Sequence, residues 1–228
     1  MILAKYLYQY NEKVYVVESF GRYIPKLIKS KHSGIYFLLM KRMFIALNLS
    51  EKVRDCLVLV QDKLRREVGE KSVKWVEREN LHVCLFFLEE VEDEKIAAIK
   101  NVLNVFNPPF QLSLSKLGFF PNKSKPRVVW VGLSGEIEGL VAYRKEVKEK
   151  LLKIGLFFDP RFSAHITLGR IRRKARGTTF SQEIINRIQE LLEKEKISFT
   201  TNKVSLFEVK LSSEGPKYFP VFEVKLAA

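Results

Sequence analysis

The chain has 228 residues, 46 % of them hydrophobic and 29 % charged, a balance that fits a folded domain and excludes a disordered polymer. Forty Lys and Arg against 26 Asp and Glu leave a formal net charge of +14, which favours a polyanionic partner. No apolar run reaches the ~18 residues of a membrane span, and two cysteines with three histidines make neither a disulfide framework nor a zinc spacing, so a reduced, cytoplasmic protein with no metal and no membrane attachment is expected.

Residues 1–39 stand apart. Tyr6, Tyr8, Tyr10, Tyr15, Tyr23 and Tyr36 are six of the eight tyrosines, and Lys5, Lys13, Arg22, Lys26, Lys29 and Lys31 outnumber Glu12 and Glu18. The segment lacks the order of a signal peptide. "KVYVVESFGRYI" allows a strand and a turn, with no capped helix or complete hairpin after it. The expected organisation is an extension over 1–39 and a compact domain over 40–228, with Met40 and Met43 directly before the first strong strand, "MFIALNLS".

Ser50 then caps a helix with apolar positions Val53, Leu57, Val60 and Leu64. "SVKWVERENLHVCLFFLEEV" reads as two extended segments around a polar turn at Glu77–Asn80. Glu92–Val105 has helical spacing and stops before Pro108–Pro109. "FQLSLSKLGFF" alternates with period two, and a Pro- and Lys-containing loop leads to a strand at Val128–Leu133. Glu136–Ile154 is an amphipathic helix ended by Gly155. "FSAHITLGRI" is a strand, "SQEIINRIQELLEKEK" a helix capped by Ser181, and "VSLFEVKL" and "YFPVFEVKL" are strands around the turn "SSEGPK". The pattern is α+β, with many antiparallel strands and three substantial helices.

No phosphate-cradling glycine loop, G-x-S-x-G elbow or HExxH helix occurs. Asp159 is the acid nearest to His165, but no nucleophile is marked for a relay. The informative feature is a repeat. His82-Val-Cys-Leu85 matches His165-Ile-Thr-Leu168 in type at every position except Cys84. In a strand, His82 and Cys84 share one face and Val83 and Leu85 the other; His165 and Thr167 pair in the same way. Each copy presents an imidazole beside a small hydrogen-bonding group. Two such strands related by internal symmetry would bring two imidazoles to one cleft. His32 has no such context and receives no role.

On these tetrapeptides, and on "MFIAL", "VKWVERENLHVCLFFL", "GFFPNKSKPRVVWVGL" and "VKLSSEGPKYFPVFEV" in that order, the chain from Met43 onward resembles the 2H phosphoesterase superfamily. Within it, the chain resembles the RNA 2′,3′-cyclic phosphodiesterase, or 2′-5′ RNA ligase-like, branch. The resemblance implies two pseudo-symmetric lobes of antiparallel sheet with outer helices and an active-site cleft between them. It implies a monomer acting on RNA with a 2′,3′-cyclic phosphate end, tRNA fragments included, without a cofactor. His165 would accept a proton from water, His82 would donate one to the departing 3′ oxygen, and a 2′-phosphate would remain. Cys84 departs from the pattern, which has Thr or Ser there.

The non-bridging oxygens gather charge during such a reaction and need fixed donors. Thr167, the weaker Cys84 thiol and Arg170 are the candidates for binding the phosphate. A regular strand would turn Arg170 away from His165, unless Gly169 permits a bulge. The run Arg170, Arg172, Arg173, Lys174 and Arg176, with Lys123, Lys125 and Arg127, could track an RNA backbone and is assigned only to general affinity, since such runs are usually exposed loops. Phe119, Phe120 and Trp130 are assigned to core packing, and Tyr218 to ordering a turn. The competing functions are a 2′-5′ ligase or phosphodiesterase, a hydrolase of small cyclic nucleotides, and a non-catalytic RNA-binding module.

Overall fold

The structure, a computed structural model, describes residues 4–10, 13–19, 26–29, 35–38, 41–104, 109–212 and 215–226. Met40, His32 and the end of the expected second helix at Val105 lie outside them. Before residue 40 it places β1 (Ala4–Tyr10) against β2 (Lys13–Ser19) and β3 (Lys26–Lys29) against β4 (Ile35–Leu38), two antiparallel pairs where no complete hairpin was expected. Both are separate from the main sheet.

The remaining elements follow the sequence reading closely. They are β5 (Lys41–Leu47), α1 (Glu51–Val68), β6 (Val73–Trp75), β7 (Val83–Val91), α2 (Asp93–Leu103), β8 (Phe110–Phe120), β9 (Val128–Gly135), α3 (Ile137–Lys153), β10 (His165–Ile171), α4 (Gln182–Glu195), β11 (Ser198–Thr201), β12 (Lys203–Leu211) and β13 (Pro216–Lys225). A short 3-10 turn at Arg78–Asn80 sits where the polar turn was expected. Ser50 occupies the N-cap of α1, but its hydroxyl makes no capping bond. Ser181 does cap α4, accepting from the Ile184 N–H at 3.1 Å. Strand β11 is additional; "SFTT" is too short to be marked by alternation.

Nine strands form one antiparallel sheet in the order β11-β8-β9-β10-β7-β5-β12-β13, with β6 paired to the far part of β10. The two expected lobes are its two halves. They meet at β10 and β7 through the pair Ile166↔Val83. Read outward from that seam, β9 corresponds to β5 and β8 to β12.

Alternation along β5 shows what each face does. Met43, Ile45 and Leu47 enter the large core, which also takes Leu57 from α1, Ile99 from α2, Val147 from α3 and Ile188 from α4. Phe44 and Ala46 point the other way, into a small cluster with Val209. All four helices therefore cover one face, and the histidine face is left open. Each fully buried Leu or Ile on the helix side stabilises the fold by roughly 1.5–3 kcal/mol. Among the described residues, no helix is long and apolar enough to cross a membrane.

Candidate active site

His82 immediately precedes β7 and His165 opens β10. Continuing the antiparallel register of Ile166↔Val83 sets His165 across from Cys84 and Thr167 across from His82. Directly opposite residues stand about 5 Å apart and diagonal ones about 7–8 Å. The four side chains thus form a square on the open face, with the imidazoles at opposite corners.

Both rings are held the same way. His82 Nδ1 lies 2.7 Å from the Asn80 carbonyl oxygen, and His165 Nδ1 lies 2.7 Å from the Ser163 carbonyl oxygen. A carbonyl only accepts, so each Nδ1 carries the hydrogen and donates it. Each Nε2 is left to receive a proton in the neutral ring or give one in the imidazolium. Each ring also has aromatic neighbours: Phe44 at 4.6 Å and Tyr218 at 5.6 Å for His82, Phe120 at 5.1 Å and Trp130 at 5.8 Å for His165.

These contacts revise three assignments. Phe119 does pack toward the core, against Phe180. Phe120 and Trp130 instead pack on His165, because β9 is the neighbour of β10 and Trp130 is registered with Thr167 on the open face. Tyr218 lies within β13, edge-on to His82, rather than ordering a turn. Asp159 is engaged by Arg161 at 2.6 Å, and that bond holds its carboxyl down at about 2.

Arg170 reaches the open face through a bulge. Thr167 pairs with Trp130 and Gly169 with Val129, so Leu168 is an extra residue in β10. Arg170 then pairs with Val128, two positions from Trp130 and on the same side of β9. The bulge cancels the odd step from His165. Gly169 makes room for it: a Cβ there would come within 2.6 Å of Val73 Cγ1. The Arg170 charge accordingly reaches His82, His165, Cys84 and Tyr218.

The other half repeats the device. Ile45 pairs with Phe86 and Ala46 with Cys84, which makes Leu85 the extra residue of β7. Phe87 consequently takes the place that Arg170 holds opposite. It is 47 % exposed and stacks on Phe44 at 5.8 Å. Two buried polar side chains that the sequence reading passed over serve the bulges. Gln61 Nε2 donates to the Leu168 and Val76 carbonyls, both at 2.8 Å. Arg144 Nε donates to the Leu85 carbonyl at 3.0 Å, its guanidinium lying 4.7 Å from the Phe86 ring and 4.6 Å from that of Phe162.

Burial pushes the His82 imidazolium down to about 4, against the hydrogen bond to Asn80, and the charges of His165, Arg54 and Arg170 push the same way. His165 is also lowered, first by burial and then by Arg170. Both shifts therefore disfavour imidazolium in the free protein. Burial raises the Cys84 thiol to about 12 despite the cations of Arg144 and Arg170, so it stays protonated. Among the described residues, no three His, Cys, Asp or Glu side chains gather as metal ligands.

The family described as LigT-like phosphoesterase matches this chain twice, over residues 47–130 and 131–218, one histidine in each half. An RNA 2′,3′-cyclic phosphodiesterase of Archaeoglobus fulgidus is 37 % identical over 181 residues, covering 78 % of this chain and 96 % of that protein. A protein of the same description from Methanocaldococcus jannaschii is 29 % identical over 177 residues, covering 78 % and 96 %. The crystal structure of E. coli LigT with 3′-AMP superposes with a TM-score of 0.63 at 22 % identity, covering 83 % of this chain and 99 % of that one, a likeness of fold.

Proposed function

The chain belongs to the LigT-like phosphoesterase family, and from that premise we propose that it is an RNA 2′,3′-cyclic phosphodiesterase that leaves a 2′-phosphate. The reading is supported by one observation above all: two imidazoles at opposite corners of a square, each with Nδ1–H tied to a carbonyl and Nε2 free. A cyclic phosphodiester needs one proton removed from water and one delivered to the departing oxygen, and this pair supplies both.

His165 Nε2 accepts the proton of the attacking water as its oxygen bonds to phosphorus. The P–O3′ bond breaks, and O3′ takes its proton from His82. The product is a 2′-phosphomonoester with a free 3′ hydroxyl, and one proton has moved from His82 to His165. Thr167 and Arg170 hold the non-bridging oxygens, with Cys84 as a weaker donor. The substrate phosphate, negative and between the rings, raises both imidazoles from their depressed values and so lets His82 enter charged.

The test is incubation of an oligoribonucleotide ending in a 2′,3′-cyclic phosphate with the protein in EDTA, followed by identification of the terminal phosphate. Conversion to a 2′-phosphate is expected. Activity lost in EDTA and restored by a divalent ion would sink the two-histidine route, and a 3′-phosphate would reverse the geometry.

A further inference from the structure

The two imidazoles are tied by like bonds, but the carbonyls that tie them are not fixed alike. Asn80, whose carbonyl oxygen takes the His82 Nδ1–H, ends the 3-10 turn Arg78–Asn80. The Asn80 N–H donates to the Glu77 carbonyl at 2.9 Å and the Leu81 N–H to the Arg78 carbonyl at 3.3 Å. Leu81 itself is buried in the core, which anchors the chain just beyond the turn.

From the other side, α1 grips the turn. Arg78 Nε and Nη2 donate to Asp55 Oδ1 at 2.8 and 2.6 Å, and Nη1 meets Glu51 Oε2 at 2.7 Å. Glu51 and Asp55 lie one helical turn apart, so their carboxylates share a face. Arg54 of the same helix donates from Nη1 to the Glu79 carbonyl at 3.1 Å. A lone exposed ion pair holds little, but a guanidinium fork engaged by two carboxylates fixes geometry as well as charge.

His165 has no such grip. Its acceptor, Ser163, lies in an irregular segment, where Arg161 and Asp159 pair with each other. Among the described residues, no ion pair joins α3 to that segment. Arg144 Nη2 donates to the Asp159 carbonyl at 3.5 Å, four residues short of Ser163.

The partner of Nδ1 decides which ring nitrogen carries the hydrogen and how the ring is turned. Resting on the phosphodiesterase reading above, we propose that Arg78 is a positioning residue for His82: fastened to Glu51 and Asp55 of α1, it fixes the turn whose last carbonyl sets the ring and its tautomer. That carbonyl is also the influence that raises the His82 imidazolium against burial and the nearby cations. Loosening the turn would therefore deprive the proton donor of both its aim and its proton.

The experiment measures kcat and KM on adenosine 2′,3′-cyclic monophosphate for the full chain, Arg78→Ala, Arg78→Lys and a Glu51→Gln, Asp55→Asn variant. Proton–nitrogen correlation spectra of the imidazoles near neutral pH accompany them. Arg78→Ala should lower kcat about 10-fold with KM little changed, less than the ~10²-fold of losing the ring itself. Arg78→Lys should recover part of the loss, since an ammonium meets one carboxylate but lacks the fork. The Glu51→Gln, Asp55→Asn variant should lose most of the same rate, and adding Arg78→Ala to it should change little more. The full chain should show Nδ1–H on both His82 and His165, and Arg78→Ala a mixture of tautomers on His82 alone. Unchanged kcat with His82 still wholly Nδ1–H would overturn the proposal. So would a fall in Tm that moves neither readout, or equal changes at both imidazoles. Should Arg78→Ala fail to fold, the lysine and carboxamide variants carry the same test. A full chain that opens no cyclic phosphate would count against the phosphodiesterase reading, and the His82 tautomer would still decide the role of Arg78.

Discussion

Gln61 and Arg144 do matching work on opposite halves of the sheet: each sends a buried side-chain N–H from a helix to the carbonyl of a bulged leucine, Leu168 or Leu85. A bulge turns a carbonyl toward the core, where donors must meet it; at Leu168 the Gln61 amide joins the Val76 N–H, which donates to the same oxygen at 2.8 Å. Gln61→Leu removes the bonds to the Leu168 and Val76 carbonyls, and because Leu168 keeps the Val76 N–H the loss should be roughly 0.5–1.5 kcal/mol per bond. If the bulge aims Arg170, Gln61→Leu should also lower kcat/KM, and should add little in an Arg170→Ala background. Independent, additive losses in the double variant would show that the amide serves stability only.

Replacing either His82 or His165 by Ala should lower turnover on a cyclic end by at least ~10²-fold, the low end for one general acid or base. Because the two act in one step, the double variant should be scarcely worse than either single one. A His82→Ala protein with near-normal turnover would show that the repeat is not a catalytic pair.

Both imidazoles sit below their ordinary range in the free protein, and a phosphate bound between them should raise them. The bell for kcat/KM, which reports the free protein, should therefore lie at lower pH than the bell for kcat. Coincident profiles would mean that the phosphate does not lie between the rings. The same depression predicts a stability trend. Between 6.5 and about 4, the unfolded chain takes a proton on His82 that the folded chain refuses. Stability from this residue is thus fully present above that window and falls with pH through it, then levels off. His82→Phe should lose that part of the pH dependence of Tm.

Cys84 stands across from His165, where its thiol is kept protonated by burial. As the weaker donor it should matter less than Thr167: Cys84→Ala should lower kcat/KM by less than Thr167→Ala, and Cys84→Thr should be tolerated. A covalent intermediate trapped on Cys84 would give the thiol a role that this scheme lacks.

The main sheet begins at Lys41, and the family match begins at residue 47. Both strand pairs before residue 40 belong to separate sheets. A chain started at Met40 should fold and open a cyclic mononucleotide at the rate of the full chain. Aggregation of the shortened protein would place residues 1–39 in the fold proper.

What the sequence made legible is what depends on period alone. His82 and His165 were readable because a strand alternates, and Val83 and Ile166 behind them mark the buried face. Features set by pairing were not readable. Arg170 lies an odd step from His165, and only the register of β10 on β9 reveals the extra residue that corrects it. Trp130 and Tyr218 look like any apolar strand residue until the order of strands puts them beside an imidazole. Gln61 and Arg144 sit on amphipathic helices where polar residues usually face water; nothing local says that a bulge waits beneath them. Glycines carried a partial signal, since Gly169 before Arg170 suggested an irregular strand at the right place.

The two halves of this sheet are near copies that end differently, one in the Arg170 cation and the other in the bare ring of Phe87. A cleft made of identical halves would receive a phosphodiester equally well turned end for end, and each imidazole would serve as acid in half of the encounters. Here one side of the cleft ends in a cation and the other in a bare ring, so the two directions would present the rest of the substrate with different walls. On the reading proposed above, the division of labour between His82 and His165 would then not rest on their Nδ1 bonds, which are alike. It would rest on the direction in which the strand of substrate lies.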